Sequence, residues 1–283
     1  MVREAMGMLE PGPGGIYVDA TVGLGGHAEK ILKLIGPEGR LIGIDRDEEA
    51  LKMAAQRLND SRVVLKKGRF SELEDLVRET GTEEVDGILF DFGVSMMQFK
   101  DLSRGFSFSS DERLDMRMDR SQRLRAEDVV NTYPEGELER ILREYGQERL
   151  AHKIARAIRI YRAKKRITTC RELAEIVSAV YRGRGRHHPA TRTFQALRIA
   201  VNDEIREIHK GLEAAAGLLR RGGRLCAISY HSLEDREVKN FMRNADRAGQ
   251  MRILTKKPLI PSHDEIRKNP SARSAKLRGA ERL

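Results

Sequence analysis

From Met1 to Asp91 the apolar positions switch repeatedly between the periods that mark helix and strand. Arg3 to Leu9 reads as a short helix, broken by Pro11, Gly12, Pro13, Gly14 and Gly15. Ile16, Tyr17 and Val18 form a β-prone run that stops at Asp19, after which Ala28, Ile31, Leu32 and Ile35 recur at helical spacing. Arg40 to Asp45 is mostly apolar, which predicts a strand buried on both faces, as in a parallel sheet. A helix from Glu48 to Leu58, a strand from Arg62 to Lys66, a helix from Ser71 to Glu79 and a strand from Val85 to Asp91 continue the alternation. Such alternation predicts an α/β fold with a Rossmann-like, mostly parallel sheet.

After Phe92-Gly93-Val94-Ser95 the pattern changes. From about Ser103 to Glu204 the periodicity is helical throughout: Leu138, Ile141, Leu142 and Tyr145, then Leu150, Ile154, Ile158 and Tyr161, then Leu173, Ile176, Val177 and Val180. Phe194, Leu197, Val201, Ile205, Ile208 and Leu212 mark one long helix returning to the sheet. Gly222-Gly223 is expected to end the helical region, followed by a fifth strand from Arg224 to Ser229. A strand at Arg252 to Thr255, and the alternation of Ala275, Leu277 and Gly279 with Lys276 and Arg278, predict a C-terminal antiparallel hairpin with one basic face. The expected organisation is one sheet domain in two parts, 1–103 and 205–283, with an inserted all-helical substrate-recognition domain at 104–204.

Charge refines this picture. The 283 residues carry 53 Lys+Arg against 43 Asp+Glu, a net +10 that favours a polyanionic partner. The excess is local: Arg149 to Arg171 holds nine Lys and Arg residues and no carboxylate, and Val177 to Asn202 is also acid-free. Arg184, Arg186 and Arg192 are therefore candidates for phosphate contacts, together with Lys276 and Arg278 of the tail. No window approaches 18 consecutive apolar residues, so a cytoplasmic protein is expected. The two cysteines, Cys170 and Cys226, and the pair His187-His188 lack partners at metal-binding spacing, and no metal is expected.

The chemistry concentrates at strand ends. Gly23-Leu24-Gly25-Gly26-His27-Ala28 satisfies the G-x-G-x-x-G/A fingerprint between a strand and a helix, where backbone N–H groups and the helix N-terminus face a nucleotide. Asp45 ends the next strand at the position of a ribose-binding acid, and Phe70 closes the third strand where it would flank an adenine or simply cap the core. Asp19, Asp45 and Asp91 all fall at carboxyl ends of strands, the edge where ligands bind in open α/β sheets. A dinucleotide-dependent oxidoreductase would need a second mononucleotide half, whereas the chain leaves for the helical region after Asp91. One nucleoside with a charged amino-acid end, as in S-adenosylmethionine, fits better. A non-catalytic RNA-binding protein on the same fold is the other alternative.

Seven blocks then carry a resemblance: DATVGLGGH (Asp19 to His27), DFGVS (Asp91 to Ser95), SRGFSF (Ser103 to Phe108), LDMRMD (Leu114 to Asp119), TFQALRIAVNDE (Thr193 to Glu204), ISYHSLEDR (Ile228 to Arg236) and NPSARSAKLRGAE (Asn269 to Glu281). In this order they resemble the bacterial small-subunit ribosomal RNA cytosine-N4 methyltransferases of the RsmH or MraW type. The resemblance implies a class I S-adenosylmethionine-dependent fold and methylation of the exocyclic N4 of a cytidine in the decoding region of 16S rRNA, free or in the small subunit. It implies further that Gly25, Gly26, His27, Asp45, Phe70, Asp91 and Gln98 hold the cofactor. Asp91, Ser229 and His231 are the candidates for contacting the amine or taking its proton. Tyr230 departs from the family, where Phe is common.

Overall fold

The computed structural model describes residues 1–181 and 188–283. The chain divides into two compact units, Met1–Gly93 with Ile205–Leu283, and Val94–Glu204. The first division falls at Gly93 rather than at 103, because Val94 already packs against the apolar cluster of the helical unit.

The first unit runs through α1 (Val2–Leu9), β1 (Ile16–Asp19), α2 (Gly26–Leu34), β2 (Arg40–Asp45), α3 (Glu48–Arg57), β3 (Val63–Lys67), α4 (Leu73–Arg78) and β4 (Val85–Asp91). The second holds α5 (Met96–Lys100), α6 (Ala126–Thr132), α7 (Glu135–Glu144), α8 (Ala151–Arg162), α9 (Cys170–Val180) and α10 (Thr191–Asn202). The chain re-enters the first unit along α11 (Glu204–Leu218) and ends with β5 (Leu219–Ser229), α12 (Ser232–Arg247), β6 (Met251–Ile253), α13 (His263–Lys268) and β7 (Lys276–Arg282).

The strands form one sheet in the order β3-β2-β1-β4-β5-β7-β6. The first five are parallel, and β7 runs antiparallel to both β5 and β6. The sheet is mostly parallel with an antiparallel C-terminal pair, as expected from the sequence. Burial on both faces explains why the parallel strands read as continuous apolar runs: Ile88, Leu89 and Phe90 of β4 are fully buried. The strand order reverses between β1 and β4, and the crevice outside the carboxyl ends there is where α/β sheets take ligands. Asp45, Asp19 and Asp91 end the three neighbouring strands β2, β1 and β4.

In the helical unit, Leu138, Ile141 and Leu142 of α7, Ile154 and Ile158 of α8, and Leu173 and Val177 of α9 share one apolar cluster. Four of the nine cations in its basic run are answered by acids that lie outside it in sequence. Arg159 pairs with Glu135, Lys165 with Glu172 (2.5 Å), Arg166 with Glu127 (2.8 Å) and Arg171 with Asp111 (2.6 Å).

Two expectations about elements fail. The helix expected from Phe194 to Leu212 is two helices, α10 and α11, because Asp203 between them is left-handed with φ 51°. The buried Asn202 fixes that break: its Oδ1 accepts the Met118 N–H (2.9 Å) and its amide donates to the Met116 carbonyl (2.8 Å), so its polarity serves a loop of the same unit. Gly222-Gly223 does not end a helix either. α11 stops at Leu218, and both glycines lie inside β5, whose register against β4 jumps from Val85–Leu219 to Gly87–Arg224 in a bulge.

The basic face of the tail is not free. Lys276 and Arg278 donate to Asp235 of α12 at 3.1 and 2.7 Å, and Arg278 is buried. No helix among the described residues is long and apolar enough to cross a membrane.

Candidate active site at the carboxyl edge of the sheet

Asp45 holds the glycine loop in place before any ligand does. Its Oδ2 accepts the Gly23 N–H and its Oδ1 the Asp47 N–H, each at 2.9 Å. Gly25 is left-handed at φ 78° and caps α2, and a Cβ there would lie 3.0 Å from Leu58 Cγ, so the turn admits only glycine without strain. Gly26, the first residue of α2, has open space above it, with nothing within 4 Å of where a Cβ would stand. A ligand can therefore approach the backbone at Gly26, at the start of α2.

Beside this loop the ends of β1 and β4 are stitched together. The Asp91 N–H donates to Thr21 Oγ1 (2.7 Å), and the Thr21 N–H donates to Asp19 Oδ1 (3.2 Å). Tyr230, just beyond β5, donates its hydroxyl to Asp91 Oδ1 at 2.8 Å, while His27 Nδ1 lies 3.5 Å from Asp91 Oδ2. His27 Nε2 is buried with no partner among the described residues, a polar atom that only a ligand or solvent would satisfy.

Burial pushes the carboxyls of Asp19 and Asp45 up to about 6, and it raises that of Asp91 as well. Burial and the neighbouring Asp91 together hold the Tyr230 phenol well above its ordinary range. Desolvated carboxylates at one edge favour a ligand that brings positive charge. The arrangement thus fits a compound bearing a sulfonium and an ammonium.

A pH dependence follows. An unfolded Asp45 ionises near 3.8, whereas the folded one resists until about 6. Its contribution to unliganded stability is present below about 4 and lost as pH rises through 6. Affinity for a cationic ligand moves the other way, rising through the same interval as the carboxylates ionise. The difference in melting temperature between wild type and Asp45→Asn, followed from pH 4 to 7, checks the first; calorimetry across that range checks the second. A wild-type advantage that grows with pH would contradict the assignment.

The other sequence candidates are placed as follows. Phe70 is half-buried, its ring edge-on to Phe90 (5.4 Å) and Phe92 (5.7 Å). A Cβ on Gly211 of α11 would meet Phe70 Cβ at 2.6 Å, so one side of Phe70 is core. Gln98 lies in the helical unit, where its carbonyl accepts the Ser95 N–H (3.1 Å) and completes the capping box of α5. Ser229 is 2 % exposed and directs its hydroxyl to the Lys276 carbonyl on β7 (3.4 Å). His231 caps α12: its Nδ1 accepts the Glu234 N–H (3.4 Å) and its Nε2 faces Glu234 Oε1 (3.1 Å). Of the three candidates for proton transfer, only Asp91 sits in the acidic cluster beside the glycine loop. Arg184, Arg186 and His187 lie outside the described residues, and Arg192 is exposed, donating to the Gln147 carbonyl (3.3 Å).

Two contributors were missed in the sequence. Thr21 joins the ends of β1 and β4, and the buried Glu234 accepts the N–H groups of Tyr230 (2.7 Å) and His231 (3.2 Å), fixing the turn that presents the Tyr230 hydroxyl. The spacing of His231 and Glu234, a cap with an acid three residues on, was the available signal for the second.

The family model described as MraW methylase family matches residues 1–283. Proteins named ribosomal RNA small subunit methyltransferase H are similar over nearly the full length. The one from Sulfurihydrogenibium sp. (strain YO3AOP1) is 50% identical over 95% of this chain and 93% of its own. That from Persephonella marina is 50% identical over 99% and 97%, and that from Caldicellulosiruptor bescii 46% identical over 100% and 98%. With the whole length matched, and the glycine loop and strand-end acids assembled at one edge, the chain belongs to the MraW methylase family.

Proposed function

We propose that this enzyme methylates the exocyclic N4 of a cytidine in the decoding region of 16S rRNA. The coarser activity, S-adenosylmethionine-dependent methylation of small-subunit rRNA, is that of its family. Support for the finer reading comes from the seven motif blocks and from Asp91, a desolvated carboxylate held between Tyr230 and His27.

S-adenosylmethionine supplies a methyl group on a positively charged sulfur, which an amine lone pair attacks in line. The chain's own residues bind and orient. Asp45, each oxygen already accepting one backbone N–H, retains lone pairs for ribose hydroxyls, and Gly25 and Gly26 leave their backbone open to the cofactor. The buried Asp19 and the partly buried Asp45 and Asp91 complement the positive charge. The N4 lone pair of cytosine is delocalised into the ring, so an acceptor on its N–H atoms helps to localise it. Asp91 serves as that acceptor and takes the proton released on transfer, its raised affinity for protons suiting the task. Tyr230 fixes the carboxylate's orientation through Oδ1.

Incubating the protein with methyl-labelled S-adenosylmethionine and small subunits from a strain lacking the modification should label cytidine N4. Asp91→Asn should lower kcat by about a hundredfold or more. Label on another base, or none, would overturn the cytidine assignment. An unchanged kcat would remove Asp91 from the proton path.

A further inference from the structure

Along α12 the sheet unit carries a cavity of about 340 Å³, close to the lower end of ligand-sized pockets. Lys239, Met242, Arg243 and Asp246 of α12 form one wall, and Ile253, Thr255, Lys256 and Arg278 line the rest. α12 packs on β5, β6 and β7, so this hollow lies on the face of the sheet that α12 covers.

Its charge is unbalanced. Arg278 is committed to Asp235 at 2.7 Å, and Asp246, whose Oδ1 accepts the Ile253 N–H at 3.3 Å, brings one negative charge against the three cations Lys239, Arg243 and Lys256. Lys239, Arg243 and Lys256 have no ion-pair partner among the described residues. Some other cations of this unit are answered, Lys33 by Glu29, Lys52 by Glu48, Lys66 by Glu79 and Arg220 by Asp86, whereas Lys30, Lys210 and Arg247 also lack an ion pair among the described residues, so it is the convergence of three on one hollow that stands out. The contrast is sharpest with the hollow beside Lys33 and Arg62, where Arg62 is spent on Asp60 and on the carbonyls of Leu32 and Gly36. Three unanswered cations around one concavity are a standing attraction for an anion.

The chemistry selects phosphate of a nucleic-acid backbone. Lys239 and Arg243 are four residues apart and so share a helix face, with Lys256 approaching from a separate segment. The buried Thr255 accepts the Gly279 N–H at 3.1 Å, which leaves its own O–H to donate. No aromatic side chain lines the cavity, so bases would find no stacking platform there. α12 starts beside Tyr230 and Asp91, and Lys239 stands eight residues beyond His231, roughly 12 Å along the helix at 1.5 Å per residue.

We propose that this cavity is a subsite for an RNA backbone phosphate, holding the strand a few nucleotides from the base to be methylated; that placement rests on the reading of the function given above. It grips by position and carries no sequence information.

The test compares wild type with Lys239→Gln/Arg243→Gln/Lys256→Gln in the full chain, folding being verified by circular dichroism and melting temperature. Binding of a uniform single-stranded RNA oligonucleotide is followed against salt. The log–log slope should flatten by about 0.7 for each phosphate that the variant no longer neutralises. KM for small-subunit RNA should rise roughly tenfold, with kcat and S-adenosylmethionine affinity unchanged. Lys33→Gln/Lys52→Gln/Lys66→Gln, which removes the same net charge, should leave the slope near wild type. Equal slopes for wild type and the cavity variant, an equal flattening in the net-charge control, or no RNA binding by wild type would each overturn the subsite. RNA binding that the cavity variant weakens, with no methyl transfer by wild type, would retain the subsite while defeating the reading of the function.

Discussion

Replacing Asp45 with alanine is expected to weaken S-adenosylmethionine binding by about a hundredfold or more while the chain still folds. Hydrogen bonds to a charged acceptor contribute about 1.5–3 kcal/mol each, and a ribose offers two hydroxyls. Each 1.4 kcal/mol is about tenfold in affinity, so two such bonds reach that figure without further help. The structure adds a second route to the same loss. The Gly23 N–H donates to Asp45 Oδ2, and its release would let the glycine loop relax away from the bound form. The fold should survive, because the side chain stands at a strand's end and burial already disfavours its charge. Asp45→Asn separates the two routes: one oxygen acceptor remains for the loop, but the charge offered to the ribose is gone. Calorimetry with the cofactor, beside a thermal melt of each variant, is the measurement. An affinity within threefold of wild type for Asp45→Ala would defeat the ribose assignment.

Gly105→Ala should destabilise the helical unit by about 3 kcal/mol or more. Gly105 follows the buried Arg104 and has φ 72°, where a Cβ would lie 2.5 Å from the Arg113 carbonyl oxygen and 2.6 Å from the Asp115 nitrogen. Both obstacles are backbone, held in turn by Leu114 N–H to the Thr168 carbonyl (2.9 Å) and by the Asp115 carbonyl accepting the Ala126 N–H (2.8 Å), so neither can move cheaply. Gly14→Ala is the control. It has φ 77° but nothing within 4 Å, so only the left-handed strain of about 1–2 kcal/mol applies. Denaturant unfolding of both variants would measure the difference, and equal losses would show that the crowding at Gly105 relaxes freely.

The parts of the fold that were legible in the sequence share one cause. Arg40–Asp45 and Val85–Asp91 appear as strands at the expected residues because a strand covered on both faces must be apolar along its length and change character where it leaves the sheet. The ligand edge followed, since the acids that stop those runs stand together once the strands are parallel neighbours. The break at Asp203 was not legible, because apolar spacing continues through it and its cause is Asn202 reaching Met116 and Met118, more than eighty positions earlier in the chain. The basic face of β7 read as free for the same reason: Asp235, which neutralises it, lies 41 residues before Lys276 and 43 before Arg278.

By itself, then, the chain's pattern determined the alternation of strand and helix, the glycine loop, the three strand-end acids and the interruption by helices, all of which depend on neighbours a few residues apart. Only the tertiary structure decided which charges remain available. Ser229 and His231 are absorbed by a strand carbonyl and a helix cap, Lys276 and Arg278 by Asp235, while Asp91 stays beside an unsatisfied His27, and Lys239, Arg243 and Lys256 keep unanswered charge. A side chain's chemistry is set by the partners that reach it through space, and those partners are distant in sequence.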